Sequence, residues 1–358
     1  MALTGNKGEW SEIYTLFKLL ADGKVNSADG QLNKIENLYY IIKEILRIEN
    51  NSEEFCYKIN NNKIKIIGAN NEISISREYF SQIAQTLYNY IITANPPKGK
   101  TLSFPDIEQF MNSINCFSIK AKSQDKADLR MVIHDIRSGM EHKLGFSIKS
   151  KLGGKSTLFN SNKDSTNFLY KIKGLNKKQI EDFNKESLFS KKFEILYRNN
   201  GEITYVDVVN KVFKNNLHYI DCSLDTILGY CLIEYYSHSG RSMSDIIEKV
   251  TLINPCGFPN TMDFYAHKMK QMLLTSALGM TSSNVWSGRY DANGGYLVVK
   301  ENGDIVCYHF YDRNDLEDYL FYNTGFETPS TSRHNFGEIY EKDGEFWLKL
   351  NLQIRFIH

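Results

Sequence analysis

The chain has 358 residues, a hydrophobic content of 42% and a formal net charge of +1, which is enough apolar side chain for two or three cores and excludes an intrinsically disordered protein. Near-neutral charge also excludes a global field for a polyanion, so such a partner has to be met by a local concentration of charge. Six cysteines with no CxxC pair and no histidine at ligand spacing argue against zinc and against a disulfide framework, and the opening MALTGNKGEWSE lacks an apolar signal core, so a cytoplasmic protein with no membrane partner is expected.

Residues 9–22 place Ile13, Leu16, Phe17 and Leu20 at helical spacing, with Gly23 as the stop. The same spacing predicts helices over 31–48 (Leu32, Ile35, Leu38, Ile42, Ile45) and 77–93 (Phe80, Ile83, Leu87, Ile91), with a hairpin around Asn60–Asn62. Residues 1–100 are therefore expected to be mainly helical. Ser103-Phe104-Pro105-Asp106 has the form of a capping box, which makes Asp106 a helix-capping acid before Ile107, Phe110, Met111 and Ile114.

From residue 116 the period falls from 3.6 to 2, predicting a three-strand meander over 116–120, 129–135 and 146–149, with NFLYKI (167–172) as a fourth strand. Helices are predicted over 176–188, 223–236, 243–252 and 262–279. The last eighty residues return to strands, with turn signals at Asn293-Gly294-Gly295 and Glu301-Asn302-Gly303.

The tetrapeptide FSIK stands at 117–120 and again at 146–149. The first copy reads as the opening strand of the meander. For the second, a turn centred near Arg137-Ser138 puts Asp128 across the ladder from Ser147 and within reach of Lys149, with Asp135 at the bend. A carboxylate and a lysine on one polar sheet edge suit phosphodiester hydrolysis, in which the acid holds a divalent cation and the lysine steadies or deprotonates the attacking water. A solvated hairpin with an exposed lysine is the plainer alternative. Gly154-Lys155-Ser156 imitates the end of a phosphate-binding P-loop, but the first glycine of that motif would fall on Lys149, so nucleotide binding is not expected.

Lys7-Gly8-Glu9-Trp10-Ser11-Glu12 turns an acid toward the apolar flank of the first helix, where it needs a partner. This KGxxxE setting resembles the PD-(D/E)XK nuclease superfamily. Closer still, NKGEWSEIYTLFKLLADGK, KADLRMVIHD, GFSIKSKLGGKSTLFN with STNFLYKI, TSRHNFGEIY and LNLQIRF resemble the HpaII-type restriction endonucleases over essentially the whole chain. The resemblance implies a prokaryotic type II enzyme that cuts double-stranded DNA at CCGG with Mg2+, beside a DNA methyltransferase protecting the same site; a homodimer stays open. It assigns Asp128, with Asp135 as the alternative if the turn register shifts, and Glu12 to the metal, and Lys149 to the lysine position. Ser147 stands where the superfamily has Asp or Glu, so the missing charge has to come from Glu12 or else from Asp135 or Glu141.

The fold class implied is α/β: a restriction-endonuclease-like mixed sheet flanked by helices. Residues 1–100 form the helical region whose first helix joins the core, 101–200 the catalytic core, and 201–358 an α+β recognition region. Nine lysines between 141 and 180 face only Glu141 and Asp164, a local balance of +7 that makes Lys151 and Lys155 candidates for DNA phosphates. Leu348, Leu350, Leu352, Ile354 and Phe356 alternate with Lys349, Asn351, Gln353 and Arg355, which predicts one strand with a polar face. Gln353, Arg355 and the loop residue Arg333 are the candidates for reading base edges. Two rivals remain: a DNA-binding protein that has lost its nuclease activity, and a structure-specific repair or junction nuclease.

Overall fold

The computed structural model describes residues 2–49, 53–69, 71–97, 100–120, 127–238 and 240–357. The chain divides into two compact units, one of residues 1–156 with 290–319 and one of residues 157–289 with 320–358. Positions 100 and 200 each lie inside a unit.

The first unit opens with α1 (Lys7–Asp22), whose start is fixed by a reciprocal cap: Glu9 N–H donates to Asn6 Oδ1 at 3.0 Å and Asn6 N–H donates to Glu9 Oε2 at 2.8 Å. Gly23 ends it with φ of 65°, a left-handed conformation that costs a glycine nothing, and its N–H closes on the Leu19 carbonyl. Strands β1 (Lys24–Ala28), β2 (Lys34–Ile48), β3 (Glu54–Asn60), β4 (Lys63–Ile67) and β5 (Glu72–Ser76) follow, then α2 (Arg77–Thr93), α3 (Pro105–Ser113), β6 (Leu129–Asp135) and β7 (Glu141–Ser150). The chain leaves for the second unit and returns with β11 (Gly295–Val299) and β12 (Ile305–His309).

The helix expected over 31–48 is therefore a strand, and the described residues of the first hundred hold five strands beside two helices. The spacing of Ile35, Leu38, Ile42 and Ile45 also suits a strand paired along both edges, because such a strand buries residues of either parity. Residues 34–41 of β2 pair with β1, 40–46 with β6 and 44–48 with β3. These pairings are what decide the conformation of an Ile- and Tyr-rich stretch. Helix α3 forms as expected with Pro105 in its first turn, but its cap is Phe104 without a side-chain bond, so the anticipated capping box is absent. Asp106 instead accepts the Tyr90 hydroxyl at 2.8 Å.

The first-unit sheet runs β1-β12-β11-β7-β6-β2-β3-β4-β5, and β1 also pairs with β2. Six strands thus close a ring of pairings, with β3, β4 and β5 as an antiparallel extension. α1 packs its Trp10, Ile13, Leu16, Phe17 and Leu20 face onto Ile42, Met131, Phe146, Ile148 and Leu297, and truncating one such aromatic to Ala costs about 3–5 kcal/mol. The expected meander is a two-strand hairpin here. The first FSIK, at 117–120, is not a strand but irregular chain, and residues 121–126 after it, with Lys126 at the head of KADLRMVIHD, lie outside the described residues.

The second unit contains β8 (Thr157–Phe159), β9 (Asn167–Lys173), α4 (Lys177–Lys185), α5 (Phe189–Arg198), β10 (Glu202–Val208), α6 (Lys211–Ile220), α7 (Leu224–Ser237), α8 (Met243–Ile253) and α9 (Phe264–Leu278). After α10 (Arg313–Asn323), which begins in the first unit, come β13 (Thr324–Phe326), α11 (Thr331–His334), β14 (Ile339–Lys342), β15 (Glu345–Asn351) and β16 (Ile354–Phe356). NFLYKI is a strand as expected, but it lies in a four-stranded sheet β10-β9-β15-β14 rather than beside β7. The last apolar alternation is two strands in two sheets, since β16 pairs with β13 and β8. Leu352 and Gln353 form the break. Overall the fold is mixed α/β, and no helix among the described residues is long and apolar enough to cross a membrane.

Candidate active site

The β6–β7 hairpin has the register Leu129↔Phe146 and His134↔Glu141. One step beyond the ladder, Asp128 N–H donates to the Phe146 carbonyl at 2.9 Å. Asp128 therefore stands opposite Ser147, as the turn position requires. Its Oδ2 accepts the Ser147 hydroxyl at 3.0 Å and the Ile148 N–H at 2.7 Å, so one carboxylate oxygen is clamped by the strand it faces. Gly145 permits the approach: a Cβ there would lie 2.8 Å from the Cβ of Ala127, the residue before Asp128.

Lys149 follows on β7 with Ser147 on its own face, and its ammonium lies 5.5 Å from the centre of the Tyr296 ring on β11. Burial pushes this ammonium below the ordinary lysine value, while the charges of Asp128 and Glu12 pull it back up. Glu12 reaches the same place from α1. Burial, with Asp128's charge as the second cause, raises its carboxyl to about 8, against opposing pulls from Lys120 and Arg47. Glu12, Asp128 and Lys149 are thus within electrostatic reach of one another. Glu12 and Lys149 are each half-buried.

A carboxyl that burial, and then a neighbouring acid, keeps protonated near neutrality is short of positive charge, and a divalent cation would supply it. Glu12 and Asp128 are the residues that could hold one. Among the described residues no three His, Cys, Asp or Glu side chains converge on such a site, so the remaining ligands would be water and substrate oxygens, the usual habit of Mg2+.

Asp135 is not brought to this cluster. It lies at the far end of β6, seven residues from Asp128 and so about 20 Å along the strand. Its Oδ1 accepts the Arg137 N–H at 2.9 Å and the guanidinium at 3.3 Å, which holds the carboxyl below its usual range despite burial. Glu141 is equally remote and pairs with Lys43 at 3.4 Å. Glu12 is the second acid that the structure places beside Asp128.

Lys151 is half-buried just past β7 and Lys155 is exposed; the chain after Ser156 enters β8 rather than a helix, so the P-loop likeness has no structural basis. In the second unit Arg333 is exposed on α11, a short helix where a loop was expected. Gln353 is half-buried in the β15–β16 break, and Arg355 pairs with Glu327 at 2.8 Å. Of the lysine-rich stretch, Lys143, Lys171 and Lys177 are engaged in ion pairs. The polar face expected of a single terminal strand is not formed: Asn351 is fully buried, its amide donating to Asn167 Oδ1 at 2.8 Å.

Two residues of the site went unread in the sequence. Tyr296 carried no signal, being one of 22 tyrosines. Lys120 carries one, the FSIK echo itself, but strand propensity alone gives that echo no chemical role.

The chain matches the family model described as HpaII restriction endonuclease over residues 6–356. It is 42% identical, over 99% of both chains, to the type II restriction enzyme HpaII of Haemophilus parainfluenzae. No solved structure matches it. With the family model spanning nearly every residue and a full-length relative at this identity, the chain belongs to the HpaII restriction endonuclease family.

Proposed function

We propose that this chain is a type II restriction enzyme: a Mg2+-dependent endonuclease that hydrolyses phosphodiester bonds of double-stranded DNA at CCGG, in a cell where a methyltransferase protects that sequence. The observation that carries the reading is the meeting of Glu12, Asp128 and Lys149, from a helix, a strand start and a neighbouring strand, in one enclosed acidic site. Glu12 and Asp128 would hold Mg2+, and that ion would supply Lewis-acid chemistry for the phosphodiester.

The chain's own groups do the rest. Ser147 and the Ile148 N–H fix one oxygen of Asp128, leaving the other directed by geometry rather than by free rotation. Lys149, enclosed beside Tyr296 and two acids, donates its N–H bonds to a non-bridging phosphate oxygen and to the attacking water, in a site where such contacts are stronger than in bulk solvent. Ser147 is engaged with a neighbouring catalytic carboxylate, which favours a working nuclease over a DNA-binding protein in which that position is a relic. Base reading remains assigned to Arg333, Gln353 and Arg355, and backbone contact to Lys151 and Lys155.

Incubating the purified protein with plasmid DNA, in Mg2+ and in chelator, and sequencing the cut ends tests this. Discrete fragments ending within CCGG, formed only with the metal, are expected. Absence of cutting, cutting at another sequence, or cutting that requires a branch in the DNA contradicts it.

A further inference from the structure

We infer that Lys120, the lysine of the first FSIK, is a second phosphate-binding cation of this centre, parked on Glu9 in the free protein and transferred to a DNA phosphate on binding. The inference rests on the nuclease reading above and deepens it.

The Lys120 ammonium lies 2.9 Å from Glu9 Oε1 with 61% of its side chain exposed. Glu9 precedes Glu12 by three residues on α1, so the two acids are neighbours on the helix surface. A lysine anchored to the first therefore stands beside the second. Its backbone is held in place independently. The Ser118 hydroxyl lies 2.7 Å from both the Lys120 carbonyl and the Glu49 carboxylate, the Arg47 guanidinium binds the Ser118 carbonyl, and Arg47 and Glu49 form a buried pair at 2.5 Å. An irregular segment this firmly tied presents its lysine at a fixed place. The hydrogen bond to Glu9 raises that ammonium above the ordinary lysine value against partial burial, and the charges of Glu12 and Asp128 add to the rise.

The two lysines of the echo thus face the same acids from different depths. Lys149 is enclosed and Lys120 is at the accessible margin, where an incoming polyanion meets it first. Glu9 is suited to a temporary partner, because Oε1 takes Lys120 while Oε2 takes the Asn6 N–H. A phosphate oxygen can replace Oε1 without opening the helix cap. An ion pair whose lysine is mostly solvated contributes little to stability, so the exchange costs little.

The test uses the full-length protein and a duplex carrying one CCGG, with binding followed by fluorescence anisotropy in chelator over a range of salt, and cleavage followed in Mg2+. Lys120→Ala is expected to weaken binding about 5- to 10-fold and to reduce the slope of log K against log salt by roughly one phosphate contact, near 0.9. Lys120→Arg is expected to restore both. Glu9→Gln keeps the cap, since Gln serves there as well as Glu, and by releasing Lys120 is expected to leave binding equal or tighter. A lysine that merely tethers α1 gives another pattern: Lys120→Ala and Glu9→Gln lose melting temperature together, with an unchanged salt slope, and that result overturns the inference. Wild-type protein that neither binds nor cuts the duplex overturns the nuclease reading with it. Wild-type protein that binds and cuts, beside a Lys120→Ala variant of equal affinity and slope, overturns the assignment of Lys120 alone.

Discussion

The two FSIK segments are identical in sequence and opposite in structure. At 146–149 the tetrapeptide is a strand paired with β6 and β11, with Phe146 and Ile148 in the core and Ser147 and Lys149 turned to the site. At 117–120 it is irregular, Phe117 is exposed, and Ser118 is buried against an Arg47–Glu49 pair. Four residues of strand propensity do not make a strand; a neighbour offering its unpaired edge does. Yet each serine steadies a carboxylate, Asp128 in one case and Glu49 in the other, and each lysine senses Glu12 and Asp128.

The largest effect that would break this comparison is on the scaffold of the first copy. Glu49→Ala leaves the buried Arg47 guanidinium without its partner and is expected to destabilise the fold by about 3–5 kcal/mol, read by chemical denaturation. A loss under about 1 kcal/mol would mean that the pair does not hold the segment. Next come the two serines. Ser118→Ala is expected to lower stability by about 1–3 kcal/mol through the Glu49 oxygen left without its hydroxyl donor, with cleavage per folded molecule changed less than by Ser147→Ala. Ser147→Ala is expected to do the reverse, slowing cleavage about 10-fold by releasing Asp128 with a smaller change in melting. Equal effects of the two substitutions on cleavage would erase the distinction.

The remaining expected effect is one of pH. Glu12's carboxyl stands at about 8 in the folded chain against 4.5 as its ordinary value. Between those values the folded state keeps a proton that the unfolded state has lost, so this group's contribution to stability falls as pH rises and levels off above the upper value. Metal-free Glu12→Gln, neutral throughout, is expected to gain in melting temperature on the wild type between about pH 5 and about pH 8. Mg2+ is expected to narrow or reverse that gap, since it favours the ionised carboxylate that only the wild type can offer. A gap that neither pH nor metal changes contradicts the placement of Glu12 beside Asp128.

What could be read in advance followed from constraints local to a hairpin. Slipping the β6–β7 pairing by one residue would turn Phe146 and Ile148 out of the core, so the register that sets Asp128 against Ser147 was legible. Gly23 and the apolar period delimited α1, and the apolar period marked α2. The strand β2 was not legible, because Leu38, Ile42 and Ile45 satisfy helical spacing and only its three partner strands decide otherwise. The break at Leu352-Gln353 was hidden for a similar reason: alternation continues through it while the pairing changes from one sheet to another. Lys120 was hidden most deeply, since the Arg47–Glu49 lock and the Glu9 carboxylate that fix it come from elements 71 and 111 residues away in sequence.

The central claim, that Glu12, Asp128 and Lys149 form one hydrolytic centre, is tested most directly by single-turnover cleavage of a CCGG duplex by Lys149→Ala at full occupancy. The account predicts that this variant retards the duplex in a gel as the wild type does while its cleavage rate falls by about 10²–10⁴-fold. Cleavage at the wild-type rate by the bound variant would contradict it.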